Sequence, residues 1–197
     1  FVHLHCTSTK HLDLMKRLLL ASLAGGLILF FWQFLSFAAL NFHGSAQKYT
    51  PLDQDILAHL AELDLDEGMY ALGSPSPEER ADPDGLGAEY MARMEGQPHA
   101  VLNYRNEWSG NMMPNLLRSL VMNVLTALLL FWLLGQINSP TLGKCIGIAV
   151  AVGFVGFMFY PYSNFIWYKN PDIWAHLADS VVPFALIGLL SSRLLER

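Results

Sequence analysis

Charged side chains are scarce in this 197-residue chain: Asp, Glu, Lys and Arg together make up 15% of it, against about 25% in an ordinary soluble domain. Hydrophobic residues reach 53%, and the mean hydropathy is +0.31. The apolar excess is gathered into a few blocks, which is the pattern of membrane-spanning segments rather than of one soluble core. Cysteine is nearly absent. Cys6 lies near the start and Cys145 inside an apolar run, so no disulfide framework is implied and Cys145 reads as a packing residue. The chain also lacks HExxH, GxSxG, a Walker A loop, GxGxxG and a paired CxxC, the signatures of the commonest hydrolases and cofactor enzymes. It is therefore read as not an enzyme, with no cofactor and no metal expected. Internal repeats are not evident, and the apolar blocks do not divide into two similar halves, which argues against an inverted-repeat transporter.

Four apolar blocks are present. Residues 18–42 contain no charge and exceed the 7–15 apolar residues typical of a signal peptide, so they read as a membrane anchor. "MKRLLLASL", from Met15, reads as a natural start, and residues 1–14 as an extension outside the fold. Blocks at 116–137, 142–162 and 173–195 are each about 20 residues long, enough to cross ~30 Å of hydrocarbon. "NSPT" makes an antiparallel hairpin of the second and third, and "SNFIWYKNPD" joins the third to the fourth. The expected layout is membrane helix 1 at 15–42, an insertion at 43–115 and helix 2 at 116–137. A short loop with helix 3 follows at 138–162, and an outer loop with helix 4 at 163–197.

Basic residues near the span ends orient this layout. With the N-terminus inside, Lys16, Arg17, Lys144, Arg193 and Arg197 all fall on the cytoplasmic side, and only Lys169 lies in the short outer loop. Residues 43–115 carry thirteen Asp or Glu against four Lys or Arg, a net of −9. This acidic segment reads as a small outer domain and argues against nucleic acid, which needs a basic footprint. In "YTPLDQDILAHLAEL", Thr50 is a candidate N-cap with Pro51 at the first helical position. Leu52, Ile56, Leu60 and Leu63 share one face of that helix. "GMYAL" (68–72) and "HAVLNYR" (99–105) read as strands, "GSPSPEERADPDGLG" as a loop, and "AEYMARMEG" as a helix ended by Gly96. The fold class is thus a mainly α membrane protein, a four-helix bundle with a small α+β insertion between helices 1 and 2.

The polar residues inside the apolar blocks carry what chemistry there is. His176 and Asp179 are i and i+3 on helix 4 and share a face. Arg118 lies in the outer turn of helix 2, and His43 ends helix 1 on the same side. His43, Arg118, His176 and Asp179 are therefore expected to converge at the outer mouth of the bundle, with Arg118 neutralising Asp179 by a bidentate pair. Against that structural joint stand a proton-accepting His–Asp couple and a metal site of His43, His176 and Asp179, which would need three or four ligands in geometry. Gln33 and Asn123 are expected to make interhelical hydrogen bonds, and Tyr160, Tyr162, Phe165, Trp167, Tyr168 and Trp174 to form an aromatic rim. Gly143, Gly147 and Ala151, four apart, form a small-residue stripe for close helix packing, within one chain or between copies in a homo-oligomer, and Gly153 and Gly156 add a second small-residue face; Gly25 is a weaker counterpart on helix 1.

"FFWQFLSFAALNFH", "GMYALGSP", "HAVLNYR", "YPYSNFIWY" and "LADSVVPFALIGLL" occur in an order that resembles a family of small bacterial inner-membrane proteins. That family has four transmembrane helices, an extracytoplasmic insertion and no established activity. The resemblance implies the layout and carries over no site residue. Two functions follow as expectations. One is a non-enzymatic accessory or scaffold in the lipid bilayer, whose acidic outer domain contacts a protein partner. The other is a small proton- or ion-linked transporter or channel using Arg118, His176, Asp179 and His43.

Overall fold

The computed structural model describes residues 2–81 and 87–195, with side chains over 15–81 and 87–193. Helix α1 (Val2–Phe34) runs into a π-helical turn (Leu35–Ala39) and is followed by α2 (Asp53–Glu62), β1 (Gly68–Leu72), α3 (Pro77–Ala81), α4 (Ala88–Met94) and β2 (Ala100–Tyr104). Then come α5 (Met113–Leu134), α6 (Leu142–Phe157), a second π-helical turn (Met158–Tyr162), α7 (Ser163–Tyr168) and α8 (Ile173–Leu195). Among the described residues, four stretches are long and apolar enough to cross a membrane: Met15–Ala39, Met113–Leu134, Leu142–Tyr168 and Ile173–Arg193. The chain divides into two compact units, Tyr49–Gly110 and the helical remainder up to Lys48 and from Asn111 on.

In the helical unit α1 lies against α5, α6 lies against α8, and contacts between α1 and α8 join the two pairs. Although α5 and α6 follow one another across a short connection, they touch little, so the hairpin packing expected of them is not what holds this unit together. Its core is Leu29, Ala127, Leu130, Phe131, Leu134, Ala149 and Ile187. Close approaches at three glycines mark the two pairs. A Cβ on Gly25 would come within 2.8 Å of the Phe131 ring and 3.0 Å of Ala127. On the other pair, a Cβ on Gly188 would lie 2.7 Å from the Ile146 backbone, and one on Gly153 would collide with the Ser180 carbonyl.

Among the described residues of the chain, the Gly143–Gly147–Ala151 stripe meets no neighbour. Nothing comes within 4 Å of a Cβ built on Gly143 or Gly147, and Ala151 is exposed. Helix α6 instead buries Cys145, Ala149, Gly153 and Phe157. That face has the same four-residue spacing but begins two residues on, about 200° round the helix. Gln33 and Asn123 do bond each other across α1 and α5, with the Asn123 amide 2.8 Å from Gln33 Oε1.

Several boundaries also move. Helix α5 begins at Met113 and ends at Leu134, three residues earlier at each end than the hydrophobic run suggests. Pro161 does not end the third span. It has no N–H to donate, and the π-helical turn around it lets the helix continue to Tyr168. The Asn164 side-chain amide donates to the Tyr160 carbonyl at 3.0 Å within this stretch. Residues 163–168, expected in a loop, are therefore helical. Of the N-terminal extension, α1 includes the backbone from Val2, and the side chains before Met15 lie outside the described ones.

In the smaller unit β1 and β2 pair antiparallel, Tyr70 opposite Leu102. Helix α2 starts at Asp53, two residues after Pro51, because Thr50 Oγ1 accepts from Leu52 N at 3.3 Å and holds a turn there. The Pro/Gly/Ser-rich loop contains a helix, α3, while the rest of it, residues 82–86, lies outside the described residues. Ser76 and Glu79 close α3 with a capping box: Glu79 N donates to Ser76 Oγ at 3.1 Å and Ser76 N to Glu79 Oε2 at 2.8 Å. Arg93 from α4 pairs with the other Glu79 oxygen at 2.5 Å. The Ser76 amide, and then Arg93, hold the Glu79 carboxyl below its ordinary value.

A group with a lowered folded pKa stabilises above its unfolded value, near 4.3 for Glu, and that contribution is lost as pH falls through the folded value. The Ser76 and Glu79 amide resonances should thus stay capped and constant from pH 7 to 5 and shift only in more acid solution. In a Glu79→Gln variant that acid transition should disappear from these two resonances.

Candidate functional site

Asp172, His176 and Asp179 stand at i, i+4 and i+7 on one face of α8 and the residue before it. Helix geometry stacks such positions in a row. The Asp172 carbonyl accepts from His176 N at 3.2 Å, so the first turn of α8 fixes their spacing. His43 reaches this row from the other side. The π-helical turn after α1 closes with Leu40 N on Leu35 O (2.7 Å) and Phe42 N on Ser36 O (2.9 Å), and Asn41 then turns the chain at φ 51°. Phe37 stacks flat on the His43 ring, centroids 3.8 Å apart and planes 4° from parallel.

His43 is 2% exposed and is held by both ring nitrogens. Nδ1 lies 2.8 Å from Asp172 Oδ2, and Nε2 lies 2.9 Å from Asp179 Oδ2. Trp32 Nε1 donates to the other Asp179 oxygen at 2.9 Å. His176 meets His43 edge-on at 4.9 Å, its Nε2 3.4 Å from Asp172 Oδ2. A neutral imidazole has one N–H and one acceptor nitrogen. Bridging two carboxylates therefore requires either an imidazolium or one protonated carboxyl, so a positive charge or an extra proton is part of the bridge.

The bridge borders a cavity of about 360 Å³ lined by Trp32, Gln33, Asn123, Thr126, His176 and Asp179 on its polar side. Leu29, Phe37, Pro183 and Phe184 close the apolar side. Pro183 supplies no amide to the Asp179 carbonyl four residues back, so the backbone ladder of α8 lacks one bond beside this cavity.

No family model, no curated protein and no solved structure matches the chain. What the molecule does must then be argued from this constellation.

Of the residues expected to converge, His43, His176 and Asp179 come together. Arg118 does not: it is exposed on α5 and makes no ion pair among the described residues. Asp179 is instead met by Trp32 on one oxygen and His43 on the other. Two members have no place in the sequence reading: Asp172 falls in the connection "SNFIWYKNPD" and Trp32 inside the first apolar block. The 172–176–179 spacing was a usable signal for the first; the second had none.

Proposed function

We propose that the chain is a multi-pass membrane protein of the ion-linked transporter or channel type, with its cation-handling site at His43, Asp172, His176 and Asp179. The observation that carries this is the buried bridge of one imidazole between two carboxylates, one of which, Asp179, lines a cavity with one polar and one apolar side. Ionisable groups inside apolar spans, here His176 and Asp179, are by default candidates for ion and proton pathways. Two carboxylates and two imidazoles form a set that must take up cations, whether protons or metal ions, to approach neutrality in a low-dielectric surrounding. Support for the bilayer comes from four spans whose apolar side chains largely face outward, Leu20, Leu129 and Val155 among them. The Lys and Arg pattern favours both termini on the cytoplasmic side and residues 43–115 on the opposite one; a bacterial inner membrane, with that segment periplasmic, is part of the proposal on the family resemblance alone.

Purified protein reconstituted in liposomes, with a pH-sensitive dye inside and an imposed ion gradient, tests this directly. Wild-type vesicles should carry ions faster than protein-free ones, Asp179→Asn should return the rate to background, and Arg118→Gln should leave it unchanged. Wild-type flux no greater than in empty vesicles would sink the transporter.

A second reading has its own observation. None of the described residues of Tyr49–Gly110 is buried, and Trp108 and Tyr49 are 89% and 82% exposed. A unit of this size with so little interior of its own supports the scaffold function, in which this acidic segment docks a partner protein.

A further inference from the structure

We propose that His43, His176 and Asp179 form a three-ligand site for a divalent transition-metal ion, with Asp172 and Trp32 as its outer supports. The inference deepens the ion-linked reading by naming the class of cation, and it rests on that reading only in needing the cavity to be reached from water. One imidazole nitrogen from each His and one Asp179 oxygen all lie within 4.8 Å of one another. A tetrahedral ion with bonds of about 2.0–2.2 Å needs its ligands roughly 3.3 Å apart. His43 Nε2 and Asp179 Oδ2, now at 2.9 Å, would open by a few tenths of an ångström, and His176 would swing inward. His176 is the freest of the three, 32% exposed, its ring held by the long 3.4 Å contact to Asp172 and the edge-on contact with His43.

Proximity alone would not distinguish a metal site from an ion-pair network. The second observation is the shell behind the ligands. A metal-binding imidazole nearly always gives its other ring N–H to a carboxylate, which fixes the tautomer and turns the free nitrogen to the ion. Asp172 stands in that place: its Oδ2 is 2.8 Å from His43 Nδ1, leaving Nε2 aimed at Asp179. Trp32 does the same for the carboxylate, donating to Oδ1 and leaving Oδ2 as a single-oxygen ligand. Phe37, flat against the His43 ring, holds its plane. The cavity beside His176 and Asp179 leaves the fourth position to water or an incoming solute, as in sites where the metal exchanges or reacts rather than only binding structure together.

The donor set selects the ion. Two imidazoles and one carboxylate suit Zn²⁺, Co²⁺ or Ni²⁺, whereas Mg²⁺ and Ca²⁺ take six or more oxygens. The cluster carries two carboxylates for one divalent charge, so the loaded site is neutral with both rings uncharged.

Full-length protein, purified in detergent and stripped with a chelator, is to be titrated with Zn²⁺ against a chromogenic chelator and separately with Co²⁺. The expected result is one ion per chain, no displacement by excess Mg²⁺, and the intense visible absorption of four-coordinate Co²⁺. His176→Ala and Asp179→Asn should each weaken binding at least ten-fold. Asp172→Asn should weaken it about 10–100-fold at unchanged stoichiometry, the signature of an orienting partner. Circular dichroism and gel filtration establish that each variant is folded, and the wild-type titration needs no variant at all. Absence of a stoichiometric ion in wild type, equal binding by folded His176→Ala, or ready displacement by Mg²⁺ would overturn the site. Asp179-dependent flux without Zn²⁺ binding would leave the transporter standing and remove the metal; Zn²⁺ binding without flux would do the reverse.

Discussion

His43→Ala should cost the helical unit about 3–5 kcal/mol, measured as loss of stability to denaturation of the purified protein in detergent. The magnitude follows from what remains. Removing one partner of a buried ionic bridge strands the other, and here two carboxyl groups at once lose their common partner. Asp172 is 8% exposed and would keep only the distant His176, while Asp179 would keep only the Trp32 N–H. The flat stack on Phe37 disappears as well. Adding Asp179→Asn to His43→Ala should recover part of the loss, because it removes one stranded charge. That departure from additivity is the mark of residues in one network. A cost below about 1 kcal/mol, the range of an exposed pair, would mean that the bridge is open to water.

The second large effect separates two faces of one helix. Gly153→Ala should destabilise the α6–α8 pair by about 1–3 kcal/mol, the usual cost of forcing atoms into a closed contact. The added methyl meets the Ser180 backbone carbonyl, which cannot swing aside as a side-chain tip can, and the Phe184 ring at 2.8 Å. Gly147→Ala, six residues earlier, meets nothing within 4 Å. It should be neutral or stabilise by up to about 1 kcal/mol through helix propensity. The two variants, unfolded side by side in the same detergent, decide the matter by their difference. Equal behaviour would show that α6 presents another face to α8.

The two faces also show what could and could not be read beforehand. Four apolar spans, the two strands and the helix ended by Gly96 follow from composition, alternation and turn chemistry, all of them local. The face a helix presents is not local. Gly143, Gly147 and Ala151 have the right spacing for close packing, yet spacing alone does not say which of two such rows meets a neighbour. At the site, His176 and Asp179 were legible as one helical turn. Asp172 was obscured by "KNPD", whose Asn, Pro and Asp announce a turn, although its place four residues before His176 puts it on the same row. The arrival of His43 depends on a π-helical turn and a positive φ at Asn41, neither of which has a dependable sequence mark. Ser76 and Glu79 did spell a capping box, but the Pro, Gly and Ser around them outweighed it. Arg118 was the nearest obvious cation for Asp179, and the partner turned out to be a ring 136 residues away in sequence.

The π-helical turn at Leu35–Ala39 has a consequence for how this chain can change length. Such a turn is an α-helix carrying one residue too many. Loss of any single residue between Leu35 and Ala39 would relax it to α and rotate everything beyond by about 100°. The chain would keep its span and its hydropathy, and so would still look intact. His43, however, would leave its ring on a different side of the helix end, away from Asp172 and Asp179. Length in this short stretch is therefore under tighter constraint than residue identity, and a shortened descendant would retain its four helices while losing the bridge between them.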